Sequence, residues 1–224
     1  MFQRIKNIIA REKALHTNEN GLYLLFSRII VVFRIRIKEK LVSLRKDSTF
    51  AAAEDMYMCS LFPRMALEFV CTEIKPHTLL DIGCGTGRSL DYFITNGIDA
   101  WGIENSAAAI KLSKTPDRIY KHNLNKVVNL QKKFDLVWCY EVAEHIHPKY
   151  VNNFLSTLTN HGNTILISAA KPGQGGHGHF NEQPQEYWVE MLRKFDYELD
   201  QNITTNLQAM EEQFSKNLMF FRHA

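Results

Sequence analysis

An α/β fold, built on a doubly wound and mostly parallel seven-stranded sheet behind an N-terminal helical extension, is predicted by three observations. The chain has 224 residues, 45% of them hydrophobic and 23% charged, enough for one sizeable core and an appendage. From Pro76 onward, short apolar runs alternate with helix-like stretches, the pattern of βαβ units. The first of these runs ends in a glycine-rich turn that opens a helix.

The N-terminal extension, residues 1–47, is a basic helical segment preceding an α/β domain at 48–224. Residues 1–46 carry eleven Lys and Arg against three Glu, a surplus of +8, while the rest of the chain carries sixteen against twenty-one, or −5. Within it, Leu22–Phe33 is apolar but shorter than the roughly 20 residues a spanning helix needs, and Arg28 interrupts it. A helix capping its own domain is the commoner use of such a stretch; peripheral contact with an anionic membrane through the basic flank stays open beside it. Thr49–Glu73 reads as a further helical stretch with Pro63 marking a break or a start. Cys59, Cys71, Cys84 and Cys139 show no CxxC pairing, and the start of the chain lacks a secretory h-region, so reduced thiols and a cytoplasmic location are expected.

Strands are predicted at Thr78–Ile82, Ala100–Glu104, Arg118–His122, Phe134–Tyr140 and Thr164–Ser168. Helices are predicted at Arg88–Asn96, Ser106–Leu112, Pro148–Leu158 and Pro184–Phe195. Tyr197–Ile203 and Leu218–Arg222 form a terminal strand pair around a helical insert. Crossovers between the parallel strands should be right-handed.

Asp81-Ile-Gly83-Cys84-Gly85-Thr-Gly87 sits between a strand and a helix, where glycines permit a tight turn and close approach to a ligand. A dinucleotide fingerprint would place its third glycine at position 88, which is Arg88. Glu104 ends the next strand, 23 residues after Asp81, at the spacing of a carboxylate that accepts from ribose hydroxyls. Loop and carboxylate together account for both ends of one nucleoside pocket.

Leu79–Gly87, Gly102-Ile-Glu-Asn105 and Phe134–His145 together strongly resemble the class I S-adenosylmethionine-dependent methyltransferases. The resemblance covers roughly residues 76–203 and excludes residues 1–60. It implies that Asp81, Gly83, Gly85 and Gly87 hold the methionine part of the cofactor and that Glu104 holds the ribose. Cys84, Asn105 and Tyr140, within the same motifs, join the expected contacts. Asn123 stands where the family often has an Asp beside the adenine, and an amide both donates and accepts there. Leu124 would line the adenine.

Glu141, Glu144 and His145 follow the fourth predicted strand, at the carboxyl ends where open α/β sheets bind ligands. The fifth is followed by a polar glycine-rich loop, 171–184, carrying His177, His179 and Glu182. One reading makes a histidine the general base for a hydroxyl acceptor, with His179 first and His145 second. A competing reading gathers Glu141, Glu144, His145 and a loop histidine around Mg²⁺ or Mn²⁺. Glu-x-x-Glu-His with a downstream His resembles the small-RNA 3′-end 2′-O-methyltransferases, and a related motif occurs in quinone-biosynthesis O-methyltransferases. The bland alternative is helix-start chemistry for Glu144 and a solvated loop for the histidines.

The expected function is therefore O-methylation of a small-molecule or glycan-like acceptor. Metal-dependent RNA 2′-O-methylation is the alternative, with the basic extension on phosphates, although no aromatic–basic interleaving of an RNA module is visible. A non-catalytic cofactor-binding scaffold is the third.

Overall fold

The computed structural model describes residues 62–176 and 178–224. The basic extension, the apolar stretch Leu22–Phe33, the first part of Thr49–Glu73 and His177 lie outside the described residues.

Seven strands form one sheet: β1 (Thr78–Ile82), β2 (Asp99–Glu104), β3 (Ile119–Lys121), β4 (Leu136–Cys139), β5 (Thr164–Ser168), β6 (Tyr197–Leu199) and β7 (Leu218–His223). Their order is β3-β2-β1-β4-β5-β7-β6. The first five pair in parallel, whereas β7 runs antiparallel to both β5 and β6. Strand order reverses between β1 and β4, so the ligand crevice of such a sheet lies beyond the carboxyl ends of these two strands.

Alternation along the central strands explains why helices cover both faces. In β4, Leu136 and Trp138 face one core while Val137 and Cys139 face the other; in β7, Leu218 and Phe220 alternate likewise with Met219 and Phe221. All eight are buried, as expected of strands covered on both sides. One face packs on α1 (Arg64–Phe69), α2 (Arg88–Thr95) and α6 (Gln201–Gln208) through Leu67, Leu90, Phe93 and Leu207. The other packs on α4 (Val151–His161) and α5 (Gln185–Arg193) through Phe154, Leu158, Trp188 and Leu192. A short α3 (Ala107–Leu112) starts where the Ser106 hydroxyl accepts from the Ala109 amide, 3.2 Å away.

Most predicted boundaries move by one or two residues, as with Phe134–Tyr140, which shortens to Leu136–Cys139, and two of the shifts are larger or change the type of element. The strand expected over Tyr197–Ile203 ends at Leu199, because the Asp200 carboxylate accepts from the Ile203 amide at 3.1 Å and caps α6. The helix expected from Pro148 begins as a 3-10 turn, Pro148–Tyr150, and becomes α-helical at Val151. Pro63 directly precedes α1, and that helix runs on as a π turn, Val70–Ile74, closed by Lys75 at φ +52°.

Candidate active site

The loop after β1 turns through three left-handed glycines, Gly83 (φ +74°), Gly85 (φ +57°) and Gly87 (φ +78°). Two are also sterically required: a Cβ on Gly83 would lie 2.6 Å from Val142, and one on Gly87 would lie 2.7 Å from Ser113 Oγ. The Glu104 carboxylate organises this turn. Its Oε2 accepts from the Gly85 amide at 3.0 Å, and its Oε1 accepts from the amides of Asn105 and Ser106, both at 2.7 Å. A carboxylate has about four acceptor sites, so about one remains for an incoming hydroxyl.

Asp81, next to the end of β1, is 3% exposed, and its Oδ2 has no hydrogen-bond partner among the described residues. Burial, and then the neighbouring charge of Glu104, push its carboxyl up to about 8. An unpartnered buried carboxylate oxygen beside an open glycine turn fits a cationic ligand group such as an α-ammonium. Next to β3, Leu124 is buried, while Asn123 is exposed and its Oδ1 accepts from the Asn125 amide. Cys84 packs under the turn, with Sγ 2.6 Å from where a Gly102 Cβ would stand, which is why β2 needs a glycine there. Burial, and then the neighbouring charges of Asp81 and Glu104, hold the Cys84 thiol well above its usual range.

Across the switch point, the segment after β4 and the loop after β5 meet. The Glu144 carbonyl accepts from the amides of Phe180 (2.9 Å) and Asn181 (3.0 Å), which clamps the histidine loop onto the 3-10 turn Ala143–His145. His145 Nδ1 lies 3.0 Å from the Gly178 carbonyl, and His179 Nδ1 lies 2.8 Å from Glu182 Oε1. A carbonyl and a carboxylate only accept, so both histidines carry hydrogen on Nδ1, which makes Nε2 the nitrogen that can accept a proton in the neutral ring. Glu182 is itself fixed by the amides of Gly173 (2.9 Å) and Gly175 (2.7 Å). The hydrogen bond from His179, with these amides, holds the Glu182 carboxyl below its ordinary value.

Glu144 is fully buried, and among the described residues neither carboxyl oxygen makes a well-formed hydrogen bond, although the Glu141 carboxyl and the Glu144 and Ala170 amides adjoin it. Burial and the adjacent Glu141 push it up to about 9, so it is neutral at pH 7. Ligand atoms of Glu144, His145 and His179 lie within 4.8 Å of one another. Glu141 does not join that trio. It adopts φ +52°, and its carboxylate accepts from Ser168 Oγ (2.9 Å), Asn217 Nδ2 (3.0 Å) and Gln174 Nε2 (3.2 Å). Tyr140 stacks on Trp138 with ring centroids 5.7 Å apart and donates from its hydroxyl to the Gln213 carbonyl at 3.0 Å.

Sequence reasoning did not find Ser168, Gln174 and Asn217, which hold Glu141, or Gly176, where a Cβ would lie 2.3 Å from His179 Nε2. Contacts across the sheet leave no spacing signal for the first three. The glycine density of the loop was a visible mark of the last.

A glycine turn seated on a carboxylate, beside a cluster of histidines and carboxylates at the switch point of a doubly wound sheet, is the arrangement of a nucleotide-binding α/β domain. The methyltransferase domain family model matches residues 50–208, and the chain belongs to that family. The family is that of the class I S-adenosylmethionine-dependent methyltransferase domains. A ubiquinone biosynthesis O-methyltransferase of Rhodopseudomonas palustris is 33% identical over 94 residues, 39% of this chain and only 36% of that protein's length. The fold is shared with TehB of Haemophilus influenzae (16% identity, TM-score 0.57, 74% of this chain and 64% of that one). It is shared also with a sugar N-methyltransferase from Streptoalloteichus sp. (16% identity, TM-score 0.56, 82% and 92%). A third solved structure of this fold is the 1,6-didemethyltoxoflavin-N1-methyltransferase of Burkholderia thailandensis with bound S-adenosylhomocysteine (16% identity, TM-score 0.55, 88% and 90%).

Proposed function

We propose that this methyltransferase acts on a hydroxyl oxygen of a small-molecule acceptor, with His179 as general base. The observation that carries the reading is the Glu182–His179 pair, 2.8 Å apart, which fixes the tautomer and leaves Nε2 able to take a proton. The cofactor, held by Asp81, the turn Gly83–Gly87, Glu104, Asn105 and the Asn123–Leu124 segment, supplies when bound an electrophilic methyl whose bonding pair stays on sulfur. Glu182 orients the imidazole and stabilises the imidazolium that forms as the acceptor proton arrives. His145, edge-on to His179, is the second base candidate, and Glu141 braces the segment that carries it. The curated relative is an O-methyltransferase by name, which favours oxygen; a structural neighbour is by name a sugar N-methyltransferase, which keeps a glycan-like acceptor in view but not the choice of oxygen.

A second reading is favoured by the buried Glu144 carboxyl, which makes no well-formed hydrogen bond. With His145 and His179 it offers one oxygen and two nitrogens within 4.8 Å, a donor set for Mg²⁺ or Mn²⁺. Glu141, the fourth ligand expected for this arrangement, is engaged elsewhere.

The test is turnover of a hydroxyl acceptor by wild type and His179→Ala, with S-adenosylhomocysteine binding as control. His179→Ala should lose about 10²- to 10⁴-fold in kcat with binding retained, and wild type should ignore EDTA. Activity abolished by EDTA and restored by Mn²⁺ would replace the base with the metal.

A further inference from the structure

β3 is an edge strand: it pairs with β2 and has no neighbour on its other side among the described residues. Positive charge is concentrated there. Positions 111–133 hold seven of the sixteen Lys and Arg among the described residues, against one carboxylate, Asp117. The other described residues carry nine against seventeen, so a basic edge is set on an acidic body. Six of the seven are exposed lysines. Lys111 and Lys114 lie on and just after α3, Lys121 on β3, and Lys126, Lys132 and Lys133 on the segment that leads to β4. The seventh, Arg118, is preorganised. Its guanidinium carbon lies 4.8 Å from the centroid of the Trp101 ring, on which Tyr120 also stacks at 5.3 Å and 21°. Lys132 Nζ sits 5.1 Å from the same ring centroid and 4.8 Å from that of Phe134. Asp99 partly offsets the two cations: it pairs with Arg118, taking one of five N–H donors, and lies 3.9 Å from Lys132. These rings and cations come from three separate stretches of chain, so no run of sequence displays their interleaving.

Cations occupy both sides of this edge. Tyr120 packs on the core that holds Val128, and Ile119 on the other. By alternation Lys121 leaves the strand on the side of Ile119, whereas Arg118, over Trp101, lies on the side of Tyr120. Edge strands carry a lysine or two to repel other strands. That use does not call for lysines continuing onto α3 and the segment beyond β3, nor for an arginine fixed on a ring. We propose that the β3 edge binds the phosphate backbone of a single-stranded nucleic acid, without regard to base sequence, as a docking surface separate from the acceptor site. A flat membrane or a rigid acidic protein face meets one side of an edge, whereas a flexible chain of phosphates follows the charge around it. A guanidinium held flat on an indole is suited to grip a phosphate through two N–H donors. β3 stands three strands from β4, roughly 14 Å at the usual spacing. Docking there leaves the segment after β4 and the loop after β5 free for the methyl acceptor, whatever its identity.

The experiment follows the fluorescence anisotropy of a labelled oligothymidine of about 20 nucleotides with the full chain, between about 50 and 200 mM salt. Wild type should bind. The logarithm of its association constant should fall with log salt at a slope of about −3.5 or steeper, the value for about five phosphates neutralised on a single strand. The triple variant Lys114→Gln, Lys121→Gln, Lys126→Gln should lose about tenfold or more at the lower salt, with the slope flattened by about 2. A control triple variant, Lys149→Gln, Arg193→Gln, Lys194→Gln, removes the same charge from exposed positions elsewhere and should change neither. Thermal midpoints report that both variants are folded. An unchanged slope and affinity in the edge variant overturns the proposal and moves the nucleic acid to another surface, the basic residues 1–47 included. Equal losses in both variants overturn it too, because net charge rather than the edge then decides. Absence of oligothymidine binding by wild type overturns it outright. If wild type then sediments with phosphatidylserine vesicles and the edge variant does not, a membrane takes the place of the nucleic acid.

Discussion

His145 and His179 meet edge to face, with ring centroids 4.9 Å apart and planes at 86°. Each has Nδ1 tied to an acceptor, so in the neutral rings the lone pairs are on Nε2, and one nitrogen of each ring lies within 4.8 Å of a carboxyl oxygen of the buried Glu144. A single base needs one of these lone pairs; a metal needs both and an ionised Glu144. Glu144→Gln separates the two, since the amide keeps the shape of a carboxyl that is already neutral at pH 7. Turnover by Glu144→Gln should stay close to wild type. Loss of turnover together with loss of Mn²⁺ binding would transfer the catalysis to a metal.

Gly176 tests how strictly the base is positioned. A Cβ there would stand 2.3 Å from His179 Nε2, 2.5 Å from Cε1 and 2.7 Å from Cδ2, so any side chain must displace the imidazole. Gly176→Ala should lower kcat by about a hundredfold, the scale of an ångström misplacement. Binding of S-adenosylhomocysteine should be unaffected, because the nucleoside pocket lies on the other side of the switch point. Wild-type turnover in this variant would mean that His179 is not the base or that the loop yields freely.

How much of this was legible follows from where each signal is stored. Strand–turn–helix punctuation and a carboxylate 23 residues on are local, so the turn Gly83–Gly87 and Glu104, which the Gly85 amide joins, could be singled out together from the residues alone. The three backbone amides on Glu104 could not, since every residue type offers one. The histidine loop announced itself by composition, but the clamp that seats it is a main-chain contact between Glu144 and residues 36 and 37 positions later, invisible to any pattern. Glu141 looked equivalent to Glu144 in the motif. Only the sheet, which brings Ser168 and Asn217 alongside, distinguishes a braced carboxylate from one without a well-formed hydrogen bond.

Glu104 shapes the loop through three amides and, on the proposed reading, would also hold the cofactor's ribose, so its loss should act twice. Glu104→Ala removes an acceptor for the hydroxyl and releases the Gly85, Asn105 and Ser106 amides. Binding of S-adenosylhomocysteine should weaken by about 1–3 kcal/mol. NAD should not bind to wild type, because Arg88 occupies the position of the third glycine in a dinucleotide turn. Isothermal calorimetry with both ligands decides this; tight NAD binding would contradict the pocket described.

Asp81 gives the cofactor site a pH dependence whose sign can be worked out. Its carboxyl rises from an ordinary 3.8 to about 8 in the cofactor-free fold. The folded chain therefore keeps a proton that the unfolded chain has released over that interval, and stability contributed by Asp81 falls as pH rises from about 4 to about 8. A ligand ammonium beside Oδ2 favours the ionised form and reverses the preference. S-adenosylhomocysteine affinity should therefore climb as pH rises toward about 8, with proton release on binding below that value. In Asp81→Asn the climb should vanish, the overall affinity should drop, and the ligand-free thermal midpoint should decline less steeply with pH. Calorimetry in two buffers of different ionisation enthalpy measures the released proton directly. An affinity that is flat from pH 6 to about 8, with no proton released, would show that Asp81 is already ionised in the free protein and that another group receives the ammonium.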